Sequence, residues 1–199
     1  MTPLRVQLLD RFSIVQDGID LLPGRPNSRL ALLLAYLLIK RDRRHSRDHL
    51  AYVFWADSTE AQARTNLRTL LVTLRKQVPA LAAYLHDQDS YLAWRVDLTQ
   101  HTDVAQFEHA LQRAGILTQT DPAATIVALE EAVALYKGEL LPGYYEEWVL
   151  AERQRLARDL HDSVTQSLYS LTLFSRAGRE AAVDGDARRL QESLASLEH

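Results

Sequence analysis

The run ERQRLARDLHDSVTQSLYSLTLF, residues 152–174, contains a single histidine, His161, beside residues that could make it reactive. An imidazole is both a nucleophile and a proton carrier near neutral pH. At 100° per residue, Leu156, Leu160, Val164, Leu168 and Leu171 fall within about 120° of arc and form an apolar stripe. His161 lies about 80° from the centre of that stripe, just beyond its edge. A helix is expected here with His161 at the rim, held by packed neighbours and open to a large partner. Asp162 and Gln166, four residues apart, share the outer face. Such a setting suits a histidine that accepts a phosphoryl group and passes it on. The bland alternative is an ordinary rim histidine on an amphipathic helix, which most such residues are.

Residues 152–197 resemble the phosphoacceptor helix of sensor histidine kinases of the NarX and LiaS kind. The residues that carry the likeness are the Leu160-His161-Asp162 step and the D-x-x-x-Q spacing from Asp162 to Gln166. The resemblance implies that His161 is the phosphorylated residue and that Asp162 and Gln166 support phosphatase activity. Asp162 would orient the imidazole or take its proton, and Gln166 would position a water. A response-regulator receiver domain is the implied partner. In that family an ATP-binding domain follows, so ATP and magnesium are expected in a longer parent protein. Within this chain none of the seven glycines makes a G-x-G. No nucleotide-binding loop, and hence no cofactor, is expected here. The final Leu-Glu-His resembles the start of an affinity tag, so a truncated chain is expected.

The elements around His161 must hold it. No proline or glycine interrupts residues 144–177, so one helix of roughly 50 Å is expected, ended by Gly178 and a turn around Gly185. A return helix from Ala187 to about Leu197 would carry Leu190, Leu194 and Leu197 at i, i+4 and i+7. A hairpin with apolar stripes on both arms buries them best by pairing with a second copy as a four-helix bundle. A homodimer is therefore expected.

Composition excludes some chemistry. The chain has no cysteine, which removes disulfides, thiol catalysis and cysteine-based zinc sites. Its longest apolar run, Leu30 to Ile39, is about half of what spans a bilayer, and MTPLRVQLLD lacks the apolar centre of a signal peptide. A soluble cytoplasmic protein that makes no membrane contact is expected. The net charge of −3 hides an asymmetry: residues 25–76 carry eleven Lys and Arg against four acids, while residues 121–152 carry one Lys against seven acids. A basic half suggests a polyanionic partner; a solvated surface is the alternative.

That basic half reads as a helix-turn-helix. Weak alternation over Leu4 to Leu22, with a turn at Asp17-Gly18, predicts short strands. Helices follow over about Ser28 to Lys40, from a cap at Ser46 to about Trp55, and from a cap at Thr59 over Glu60 to Val78, stopped by Pro79. In the third helix Ala63, Leu67, Leu70, Leu71, Leu74 and Val78 form the expected buried face. Gln62, Thr65, Arg68, Thr69, Val72 and Lys76 lie opposite, with Arg64 and Arg75 at the boundary. Arginine bonds guanine edges bidentately, and threonine and valine methyls suit the thymine methyl; flanking arginines suit phosphates. No acid lies between Ala61 and Val78. A turn at Asp87–Ser90 within residues 84–97 predicts a hairpin, the wing, with Arg95 as a candidate contact to the DNA backbone or minor groove.

Residues 4–97 resemble the OmpR-like winged helix of SARP-type transcriptional activators. The carrying segments are LRVQLLDRFSIVQDG, ALLLAYLLIKRDRRHSRDHL, FWAD and EAQARTNLRTLLVTLRKQVP. The connection RDRRHS is unusually basic for this family, and either DNA or another protein is a possible contact for it. The helices expected at 103–113 and from Pro122 to Tyr136, with KGELLPGYYEEW after them, resemble the bacterial transcriptional activator domain, whose helix pairs are like tetratricopeptide repeats. Glu130 with Glu131, and Glu146 with Glu147, point about 100° apart and do not converge on a metal or a substrate.

The expected fold is mainly α with small β, in three parts. Residues 1–98 form the winged helix, 99–151 the activator-type helices and 152–199 the phosphoacceptor hairpin. The expected function is a DNA-binding transcriptional regulator coupled to a phosphorelay module. The alternative is a kinase fragment whose first half binds a partner other than DNA. A third possibility is that His161 is vestigial and the hairpin only dimerises.

Overall fold

The computed structural model of the chain describes residues 4–24, 28–95, 102–118 and 120–183. Its internal contacts divide it into two units, Met1–Thr102 with Pro142–Tyr144, and Asp103–Leu141 with Tyr145–His199.

The first unit begins with an antiparallel sheet, β1 (Arg5–Gln7), β2 (Ser13–Gln16) and β3 (Ile19–Asp20), paired in that order. The turn between β2 and β3 places Asp17 and Gly18 at positive φ. That is the pair of left-handed residues a tight hairpin of matching twist requires. Helix α1 (Arg29–Ile39) starts at Ser28, whose hydroxyl accepts from the Ala31 N–H, and every residue from Leu30 to Ile39 is buried. A helix apolar on all sides must lie inside, and α1 is the core of this unit. A two-residue strand, β4 (His45–Ser46), then leads into α2 (Arg47–Phe54), capped by Ser46.

Helix α3 (Glu60–Gln77) is capped by Thr59 and buries Ala63, Leu67, Leu71 and Leu74. Leu70 and Val78, expected on the buried face, are only half-buried. Pro79 does end α3, but it also opens a four-residue helix, α4 (Pro79–Ala82), because a missing N–H is harmless at a first helical position. Strands β5 (Leu85–Asp87) and β6 (Tyr91–Trp94) form the wing, and β4 joins them in the order β4-β6-β5. The expected hairpin is present as far as Arg95; residues 96 and 97 lie outside the described residues.

In the second unit α5 (Asp103–Leu117) and α6 (Pro122–Leu135) pack against each other. Helix α5 runs four residues beyond the expected 113, straight through Gly115, beside which an added Cβ would meet nothing. Helix α6 starts at Pro122 with Asp121 as its cap, and faces α5 with small residues such as Ala128 and Ala132. Helix α7 (Glu147–Val183) is a single helix of 37 residues. Gly178 does not end it, contrary to expectation. One glycine inside a helix is destabilising by only about 1 kcal/mol, too little to stop a helix with good formers on both sides. The turn around Gly185 and the return helix lie outside the described residues.

The entry to α7 is fixed by Arg153. Its Nε and Nη2 donate to the carbonyls of Leu140 and Leu141 at 2.7 and 2.6 Å. Leu141 has a positive φ, an unfavourable state for a branched side chain; these bonds and the burial of both leucines hold it there. Among the described residues no helix is long and apolar enough to cross a membrane.

Candidate functional site

The exposed face of α3 carries the residues expected to read DNA. Thr65, Arg68, Thr69, Val72 and Lys76 are all exposed, as are Arg64 and Arg75. The threonine hydroxyls turn inward: Thr65 donates to the Ala61 carbonyl at 2.9 Å and Thr69 to the Thr65 carbonyl at 3.0 Å. With their donors used by the backbone, these side chains have methyl groups left to offer. Arg68 and Lys76 make no ion pair among the described residues.

Both flanking arginines are already engaged. Arg64 bonds Asp48 of α2 at 2.7 Å and lies 3.7 Å from Glu60; the Asp48 hydrogen bond raises its pKa. Arg75 pairs with Asp87 at the end of β5, and Asp87 also pairs with Arg47 at the start of α2. Arg47 further donates from Nε to the Gln88 carbonyl at 2.9 Å. Asp87, whose side chain is 14% exposed, thereby ties the wing to α2 and α3. The sequence of α3 is free of acids within that face, but its neutralising acids arrive from other elements, which no inspection of the helix alone reveals. Arg95 is exposed and stands at the end of the hairpin remote from the turn, its backbone N–H donating to the Tyr84 carbonyl at 3.0 Å.

A small aromatic group lies behind this surface. His45 is buried, donates from Nε2 to the Lys40 carbonyl (3.0 Å) and packs edge-on to Tyr36. The Tyr36 hydroxyl meets His49 Nε2 at 3.0 Å. Burial lowers the His45 pKa and raises that of Tyr36.

The histidine of α7 is open. Its side chain is 77% exposed, and Nδ1 lies 3.3 Å from Asp162 Oδ1. The apolar stripe beside it changes along the helix. Leu156 is fully buried, Leu160 and Val164 are half-buried, and Leu168 is 59% exposed. Tyr169 and Leu173 are also exposed.

Asp162 and Gln166 line a groove of about 440 Å³ between α5 and α7, together with Glu108, Gln112, Arg155 and Ser163. Its floor is held by Arg155, which bonds Glu108 of α5 at 2.6 Å, Glu152 at 2.5 Å and Asp159 at 2.7 Å. Burial pulls the Arg155 pKa down, but the bonds to Glu152 and Glu108 outweigh it and hold the guanidinium more firmly charged than usual. Residue spacing alone puts Asp162 and Gln166 on one face; it does not reveal that Glu108 and Arg155 wall that face. Among the described residues no cluster of acids and histidines could hold a metal.

Residues 152–199 match a protein family described as histidine kinase. The fold is similar to the solved structure of Mycobacterium tuberculosis EmbR in complex with a low-affinity phosphopeptide, with a TM-score of 0.72 and 17% sequence identity. The similarity covers 96% of this chain and 51% of the EmbR chain, so this chain spans about half the length of that relative. No curated protein sequence matches. The likeness to histidine kinases thus falls on residues 152–199, and the fold as a whole is mainly helical with small sheets, a winged helix followed by a helical unit and a C-terminal helix.

Proposed function

We propose that this chain belongs to a DNA-binding regulator whose activator-type helical unit continues into the phosphoacceptor helix of a two-component kinase. One observation carries the proposal: the segment that matches a histidine-kinase family begins inside the last described helix of an EmbR-like fold. The winged-helix unit would place α3 in the major groove, with Arg68, Thr69 and Val72 at base edges. The segment from His161 onward would pair with a second copy, covering Leu168 and its exposed neighbours.

The chemistry at His161 follows from its surroundings. Asp162 beside Nδ1 favours the tautomer with the proton on that nitrogen. The Nε2 lone pair then faces solvent and can attack the γ-phosphorus of ATP held by a kinase catalytic domain. The Nε2–P bond forms as the bond to ADP breaks, and Asp162 stabilises the positive charge that develops on the ring. A receiver aspartate then takes the phosphoryl group.

Duplex binding by anisotropy, together with phosphoryl transfer from a kinase catalytic domain added in trans, tests the two halves. Binding that falls steeply with salt and an acid-labile label on the chain are expected. Failure to bind any duplex at low salt would sink the first half, and an acid-stable label on a serine the second. A second reading, in which the first unit meets a protein rather than DNA, is favoured by the pairing of Arg64 and Arg75 with Asp48 and Asp87.

A further inference from the structure

A winged helix holds a nucleic-acid backbone with the exposed cations that its own acids leave free. Three arginines of this unit are already matched by acids. Arg64 is paired with Asp48, and Arg47 and Arg75 share Asp87. The turn of the wing, Gln88 to Ser90, carries no cation and one acid, Asp89. Arg95 stands at the opposite end of the hairpin.

One guanidinium reaches the turn from a different element. Arg44, in the connection between α1 and β4, lies over the ring of Tyr91, 4.8 Å from its centroid. Tyr91 is the first residue of β6 after the turn, and it pairs in register with Ser46. The adjoining Arg47 N–H donates to the Ser90 carbonyl at 3.2 Å, which fixes this connection beside the wing. Arg44 is exposed and makes no ion pair among the described residues, and neither does Asp42 in the same connection. A guanidinium laid on an aromatic ring gives up its face and keeps its N–H edges, the part that bonds phosphate. The ring also restrains a long side chain that would otherwise lose rotamer entropy on binding.

The geometry points to Arg44 as the phosphate contact of the wing, supplied by the α1–β4 connection in place of a cation on the turn, with Tyr91 as its positioning residue. This rests on the DNA reading above and names a contact for it. The test is anisotropy of a fluorescein-labelled mixed-sequence duplex over a potassium chloride series. Arg44→Ala and Arg44→Gln should each flatten the plot of log affinity against log salt by about one unit. Both should also weaken all duplexes alike. Arg95→Ala should leave the slope as it is. Tyr91→Leu should lower affinity severalfold while keeping the slope, because the charge remains but is no longer held. Thermal melting of the Arg44 variants should match that of wild type, since the side chain is exposed. Wild-type slopes in both Arg44 variants, or a flattened slope in Arg95→Ala instead, would overturn the contact while leaving DNA binding intact. No duplex binding by the wild type at low salt would remove the DNA reading and the contact together.

Discussion

Helices α3 and α7 are both amphipathic, yet they finish their surfaces differently. In α3 the apolar face is closed within its own unit, and the two flanking arginines are matched by acids from α2 and the wing. In α7 the apolar stripe is closed only at its beginning, at Leu156, and opens by Leu168. A helix whose apolar side is closed can offer its polar side to a partner without changing its own packing. A helix whose apolar side is open has surface left to bury. The contrast supports the proposal that the polar face of α3 serves recognition and the distal stripe of α7 serves assembly.

The sharpest break between the two helices is chemical. His161→Gln should abolish labelling by a catalytic domain added in trans, with no effect on duplex affinity. A label that survives on the variant would reduce α7 to a dimerisation helix with an inherited histidine.

Packing gives the next largest contrast, and it lies within α7 itself. Leu156→Ala should destabilise the chain by about 2–5 kcal/mol in a urea titration, as a filled site becomes a cavity. Leu168→Asp should leave that unfolding free energy nearly unchanged for the monomer but shift sedimentation from dimer towards monomer. If wild type sediments as a monomer at tens of micromolar, the stripe has no copy of itself to bury against.

For α3, Arg68→Ala should cost about 1–3 kcal/mol of discrimination at one base pair, read from competition with single-base variants of a selected site. Arg64→Ala should change much less, because its guanidinium already has Asp48. An equal loss from both substitutions would mean that DNA displaces Asp48.

The smallest effect concerns pH. Burial holds the His45 pKa below its unfolded value of about 6.5. The unfolded chain therefore binds the proton more readily than the folded one. This contribution to stability is fully present above pH 6.5 and is lost as the pH falls below it. Melting temperature measured from pH 7.5 down to 5 should drop over that window, and less steeply in His45→Gln. An unchanged slope in the variant would assign the acid sensitivity to other groups.

Most of the helix starts were legible, because caps are local chemistry: Ser46 and Thr59 each accept an N–H where a cap is expected, and Ser28 and Asp121 do the same at the starts of α1 and α6. The spacing from His161 to Gln166 was equally legible, since a helical face depends only on residue spacing. What stayed hidden was tertiary. Strand β4 is two residues long and exists only because β6 pairs with it. Asp87 gives no sign in sequence that it gathers Arg47 and Arg75, from positions 40 and 12 residues away. Glu108 reaches the wall beside Asp162 from 47 residues upstream of Arg155. Gly178 misled because a glycine is a stop only where the surrounding helix is weak.

The uninterrupted course of α7 has a geometric consequence. Leu156 is fully buried on a helix that packs against α5 and α6, and His161 follows five residues later with no break in the helix between them. The direction in which the imidazole points is therefore a phase, set by the packing upstream and advanced by about 100° for every residue. One residue added between them would swing His161 through more than a quarter turn, and seven would restore it to within about 20°. The packing of α5 and α6 and the bearing of the His161 imidazole are two readings on one dial.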